Sequence, residues 1–222
     1  MPMNDPKPGF RVEPRWPVAL TVISVLLLLE VLPGRVRLFP RWTPYLIGSL
    51  VFVPMAGIAL TGAAARWRRL ERVGTYLFAL ATGSATLAVL GSLIGAMVRR
   101  STEVGGLQLL TSSIAVWVSN VALFALVYWQ LDRGGPESRA NLAPVRPDWL
   151  FPQYTAPDDA PPGWHPTFVD FLFLAFTTAA AFSPTDALPM TSRAKILMMI
   201  QSSISLVTIV VVASRAINIL GN

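Results

Sequence analysis

FVDFLFLAFTTAAAF (Phe168 to Phe182), SPTDALPMTSR (Ser183 to Arg193) and AKILMMIQSSISLVTIVVVASRAINI (from Ala194 onward) follow one another near the end of this sequence. The first piece is apolar but short. At about 1.5 Å per residue it reaches roughly 22 Å as a helix, less than a bilayer core of about 30 Å. The third piece is long enough to cross. A short helix, a polar turn and a long helix, all in lipid, is the element order of a re-entrant loop. Pro166 and Thr167 suit the start of the short helix, and Asp170 in its first turn suits the positive end of the dipole. Its opposite end carries partial negative charge into the membrane, which favours a cation there. Irregular backbone at that depth is tolerated only where protein buries it or a watery cavity faces it.

The long run carries a polar stripe. Gln201, Ser205 and Thr208 follow i, i+4, i+7 spacing and share a face that continues through Val212. Such a stripe either lines water or bonds to a neighbouring helix. Beside a re-entrant loop, it reads as the lining of a pore.

Composition sets the wider frame. Of 222 residues, 53% are hydrophobic and 14% charged, with mean hydropathy +0.54. Soluble domains carry about a quarter charged residues, so this chain belongs in lipid. Five apolar runs are candidate spans: Pro17–Leu32, Tyr45–Ala64, Tyr76–Met97, Leu107–Leu131 and Ala194–Leu220. The expected fold is all-α, a polytopic helical membrane protein with about five transmembrane helices and one short re-entrant pore helix. Pro17–Leu32 is short and holds Glu30, but no small-x-small cleavage site follows it, so it reads as a retained anchor. The chain has no cysteine, hence no disulfide framework or thiolate site, and its one histidine, His165, cannot build a metal centre alone. No cofactor and no enzymatic nucleophile–base pair is expected. The net charge of +6 comes from sixteen Arg and two Lys set at helix ends and links, which points to lipid headgroups as partners and away from nucleic acid.

Residues 1–16 read as a polar tail, 17–106 as a three-helix region and 107–222 as a pore-loop-like module. Within the module, an outer helix leads to an extended loop (132–166), a pore helix (167–182), a filter-like turn (183–191) and an inner helix (193–220). The link RWRRLERVG places Arg66, Arg69 and Arg72 at every third position. Interleaved with Arg68 and Glu71, they read as a solvated link and not as a voltage sensor. Ser84, Ala88, Gly91 and Gly95 form a small-residue face suited to close helix packing, and Pro54 is expected to kink its helix.

AFTTAAAFSPTDALPMTSRAKI resembles the pore region of the potassium-channel superfamily of pore-loop tetramers, and the resemblance extends over residues 107–219 only. Thr178 matches a pore-helix threonine and Asp186 the aspartate that ends the filter. Pro189 and Thr191 resemble the turn, and Arg193 the arginine at the start of the inner helix. The resemblance implies an ion path along Thr178, Ala181, Phe182, Ser183, Pro184, Thr185 and Asp186, with Gln201, Ser205, Thr208 and Val212 lining a cavity. It also implies a homotetramer passing monovalent cations. The filter departs from the family: Ala181-Phe182-Ser183-Pro184-Thr185 stands where Thr-Val-Gly-Tyr-Gly is found. Without the glycines, a dehydrating carbonyl filter does not form. What remains is a wider, hydrated site with weak or altered selectivity, or an ordinary Ser-Pro-Thr-Asp turn between two helices.

Two functional readings therefore stand. One is the pore-forming subunit of a cation channel in the plasma membrane; the other is a non-conducting scaffold or partner protein that uses the hairpin for packing. Arginine- and alanine-rich usage suits a bacterium. Orientation is contested. Potassium-channel topology puts loop 132–166 outside, whereas counting basic residues at the two sets of links gives ten on its side against five on the other, which favours the cytoplasm.

Overall fold

The computed structural model describes residues 12–31, 40, 42–61, 64–98, 106–141, 143–181 and 187–220. The chain is mostly helical. The first four helices are α1 (Trp16–Val31), α2 (Thr43–Thr61), α3 (Ala65–Val98) and α4 (Gly106–Leu131). After α4 come a single 3-10 turn (Asp132–Gly134), α5 (Pro136–Ala140), β1 (Trp149–Leu150) and α6 (Pro152–Thr155). The module closes with α7 (Phe168–Ala181), β2 (Leu188–Pro189) and α8 (Ser192–Leu220). Among the described residues, α2, α3, α4 and α8 are long and apolar enough to cross a membrane, consistent with a membrane protein, and α1 and α7 are shorter apolar helices.

α4 is the hub, packing against α1, α3, α7 and α8. Its core joins Val18, Val22 and Val25 of α1 to Leu126 and Trp129 of α4 and to Phe168, Phe171 and Leu174 of α7. α2 and α3 run antiparallel and meet through glycines. A Cβ on Gly74 would overlap the Leu50 carbonyl oxygen, and one on Gly57 would overlap the Trp67 ring. α2 continues as helix through the buried Pro54.

Direction matters more than packing here. The segment before α1, the start of α3, the end of α4, and the starts of α7 and α8 all meet at one end of the molecule, as bonds described below establish. α1, α3 and α8 run away from this end; α2 and α4 run toward it. The N-terminal segment and the 132–166 loop therefore share one face.

Three expectations change. The RWRRLERVG link is helical: α3 begins at Ala65, because Arg, Leu and Glu are good helix formers and nothing there breaks the turn. The small-residue face of α3 is not a packing face within the chain. Gly91 and Gly95 meet nothing within 4 Å, while the close approaches fall at Gly57 and Gly74. The 132–166 loop is not extended on the surface. It folds as a cap in which Trp149, Asp148 and Arg139 are buried. The chain turns into this cap on a left-handed backbone at Arg133 (φ 50°), Gly134 (φ 77°) and Gly135 (φ 113°), and Pro136 then starts α5.

Candidate functional site: the α7–α8 module and its charged cap

Local chemistry starts α7. Asp170 Oδ2 accepts from the Thr167 backbone N–H at 2.7 Å and from its hydroxyl at 2.9 Å, tying down the first turn. The helix has 14 residues, about 21 Å, as its apolar length predicts.

α7 and α8 run parallel. Gln201 Nε2 donates to the Ala175 carbonyl at 2.7 Å and Ser202 Oγ donates to the Thr178 carbonyl at 3.2 Å. Residue number thus rises together along both helices. A plain hairpin of two crossing helices would be antiparallel. Ala187 shares a cleft of about 140 Å³ with Asp170 and Phe173 from the first half of α7, and with Phe151 and Gln153 of the cap. Leu188–Pro189 then pairs antiparallel with Trp149–Leu150. Ala187 and Leu188–Pro189 therefore lie at the end from which α7 departs.

The return is anchored. Asp148, fully buried, accepts from Arg193 Nε at 2.6 Å and Nη2 at 2.7 Å, and from the Thr191 hydroxyl at 2.6 Å. Its carbonyl accepts from Met190 N–H at 2.8 Å. Thr191 Oγ1 in turn accepts from Ala194 N–H at 3.3 Å, capping α8. Thr191 caps α8 and Arg193 lies in its first turn, whereas Pro189, expected in a turn, is paired in β2.

The candidate path residues are placed as follows. Thr178 is buried and donates to the Leu174 carbonyl at 2.7 Å, whereas Ala181 is exposed at the end of α7. Phe182, Ser183, Pro184, Thr185 and Asp186 lie outside the described residues. Gln201, Ser205 and Thr208 do share one face, and it is turned into the chain. Tyr128 Oη donates to Gln201 Oε1 at 2.6 Å. Asn120 Nδ2 donates to the Gln201 carbonyl at 3.2 Å and to Ser205 Oγ at 2.9 Å, and Thr208 donates to its own helix at Ile204. Val212 is half-buried. Of the two uses polarity allows this stripe, bonding to neighbouring helices is the one the single chain makes.

Sequence reasoning missed the charged cap. Glu13, expected in a polar tail, is 4% exposed. Its Oε1 accepts from the Phe168 N–H at 2.8 Å, at the start of α7, and from Trp129 Nε1 at 2.9 Å. Its Oε2 faces Arg139 Nη2 at 3.5 Å. Arg139, 1% exposed, donates to the carbonyls of Trp129 (2.6 Å), Asp132 (2.9 Å) and Pro166 (3.3 Å). Burial pulls this guanidinium below its ordinary pKa, and Glu13 and Asp132 act to hold it up. Arg15 binds both Glu71 oxygens at 3.1 Å and also Glu137. Asp132 Oδ1 accepts from Asp148 N–H at 2.8 Å and Trp149 N–H at 3.3 Å, fixing the cap to the end of α4. The available signal was scarcity. With only 12 acidic residues, those beside surplus arginines at span ends had reason to be paired. Among the described residues no group of acids and histidine converges as a metal site.

Compared with protein-family models, curated proteins and solved structures, the chain matches none.

Proposed function

We propose that this chain is a plasma-membrane protein built on a re-entrant pore-loop module, and that it works as one subunit of an oligomeric cation conduit of weak selectivity. The observation that carries this reading is the parallel run of α7 and α8 from one end, with Ala187 and Leu188–Pro189 at the end from which α7 departs. A helix of 14 residues that enters and returns, beside four helices able to span, is the build of a pore loop. On this reading α1 crosses as a fifth span, α4 is the outer helix and α8 the inner one. The constriction expected over residues 182–186, with Asp186 setting its field, lies outside the described residues. Several chains are needed to enclose a path, four in the family that the module resembles.

The placement of the basic residues favours entry from the cytoplasm. Arg15, the arginines at the start of α3 and those of the cap stand on the face from which α7 departs. By the positive-inside rule that face is cytoplasmic, inverted relative to potassium channels. The sequence has no cysteine, so Thr155→Cys gives a single label site. Labelling by a membrane-impermeant thiol reagent is expected only after the cells are lysed. Labelling of intact cells would reverse the orientation.

The test of function is cation flux into liposomes holding the purified protein, driven by a potassium gradient and read with a voltage-sensitive dye. Flux above protein-free liposomes, with cation preference lowered in Asp186→Asn, is the expected result. A second reading, a non-conducting scaffold, is favoured by one observation. Gln201, Ser205 and Thr208 are already bonded within a single chain, so they line nothing unless they exchange partners. Absence of flux from a folded oligomer would leave that reading standing.

A further inference from the structure

Residues 13–15 touch α3, α4, α5 and α7. Glu13 bonds the first amide of α7 and the indole of Trp129 on α4, and faces Arg139 of α5. Arg15 bonds Glu71 of α3 and Glu137 of α5, and its guanidinium lies 5.7 Å from the Trp129 ring centre. It also donates to the Glu13 carbonyl at 2.6 Å, which folds the segment onto itself. Arg15 already belongs to the start of α1, since its carbonyl accepts from Ala19 N–H at 2.9 Å. Glu13 and Arg15 thus tie the start of α1 to the start of α7.

We propose that Glu13 and Arg15 form a strap that sets the position of α7, and that docking and release of this strap switch the α7–α8 module between two states. The inference rests on the reading of α7 as a pore helix. Three features support a switch over simple glue. The strap is held by charge-assisted bonds in a buried setting, where geometry is strictly defined and losing one partner strands the other. It grips α7 at its N-terminus, where a carboxylate on a free N–H completes the helix electrostatically. It also works against a short helix. Pro166 and Phe168 at its start are held by Arg139 and Glu13, while its later carbonyls are met by Gln201 and Ser202 of α8. Released at its first turn, α7 keeps its bonds to α8 and its packing on α4, so the second state is a shift of its N-terminal turn against those contacts. Three carboxylates (Glu13, Glu71, Glu137) face two guanidinium groups (Arg15, Arg139) in this cluster, so undocking takes Arg15 from Glu71 and Glu137 and Glu13 from Arg139.

The absence of cysteine makes the test direct. Spin labels at Val169→Cys on α7 and Lys195→Cys on α8, both exposed positions, report the separation of the two helix starts by pulsed electron paramagnetic resonance in nanodiscs. A second pair, Ile114→Cys and Ser203→Cys, also exposed, reports the α4–α8 packing as a fold control. In the otherwise unchanged chain one narrow distance is expected at each pair. Glu13→Ala is expected to give a second, longer population at 169–195 and no change at 114–203. Glu13→Gln keeps the acceptor for Phe168 and loses only the charge facing Arg139, so a smaller second population is expected. An unchanged 169–195 distance in Glu13→Ala overturns the strap. If Glu13→Ala does not fold, Glu13→Gln decides by the same criterion. Flux run in parallel separates the two readings. A shift in the α7 distance together with a change in flux on the order of tenfold, the scale of one lost charge-assisted bond, supports both. A distance shift with no flux in any variant keeps the strap and removes the pore.

Discussion

α4 and α8 look alike as sequence and sit in the molecule differently. Both are apolar enough to span, yet 67% of the spanning part of α4 is buried within the chain against 28% of that of α8. α4 is enclosed by four other helices and turns polar groups inward along its length, among them Ser112, Ser119, Asn120 and Gln130. α8 turns its one polar stripe to α4 and α7 and leaves Ile196, Met199, Ile200, Leu206 and Val210 on the outside. The difference teaches that apolarity fixes membership of the membrane, while inward polar groups fix which helix is the hub. In lipid there is little hydrophobic drive between helices, so hydrogen bonds and close fit choose the neighbours.

The largest break in this contrast is expected at the end of the hub. Arg139→Met removes the group that holds the carbonyls of Trp129, Asp132 and Pro166 together and that faces Glu13. Stranding a buried carboxylate in this way costs about 3–5 kcal/mol. Thermal unfolding in detergent should show it, and a shift no larger than that of an exposed arginine variant such as Arg66→Met would mean the cap contributes nothing to the hub.

Much of α7–α8 was legible, and the reason is length. An apolar run of about 15 residues next to one of nearly twice that size leaves few arrangements, and the observed starts, 168 and 192, each differ from the expected ones (167 and 193) by one residue. The spacing of Gln201, Ser205 and Thr208 also gave their shared face correctly. It could not give the neighbour, because a helical period defines a face without naming what stands opposite; Tyr128 and Asn120 lie more than seventy positions away. The cap escaped for a related reason. Glu13, Glu71, Glu137 and Arg139 sit in segments with no apolar periodicity, and only the folded spans bring them together. The small-residue face of α3 misled because GxxxG describes a surface able to pack, not one that does.

The bond between the two helices should matter less than the cap. Asn120 Nδ2 is shared between the Gln201 carbonyl and Ser205 Oγ. Asn120→Leu, close in volume and without a donor, is expected to cost about 0.6–1.7 kcal/mol, the range for interhelical hydrogen bonds in membranes. Unfolding in SDS titration of the purified protein reads it. A neutral result would leave apolar packing alone to hold α8 on α4, and the hub would owe nothing to its polar groups.

The smallest effect is expected on the outer face of α8, and it sharpens the contrast most. Ile200 is 47% exposed, so Ile200→Ala should change the stability of the single chain by less than about 0.5 kcal/mol. The proposed oligomer needs its inner helices to face partners, and a side chain idle in one chain then becomes a contact between chains. The expected outcome is thus divided: unchanged unfolding of the monomer in dilute detergent, and a smaller oligomer fraction by light scattering in lipid-like detergent at higher protein concentration. Equal oligomer fractions for Ile200→Ala and the unaltered chain would assign this face to lipid. A loss of more than 1 kcal/mol in the monomer (well outside the range for exposed positions) would mean that α8 is packed within the chain, and the difference between the two helices would shrink accordingly.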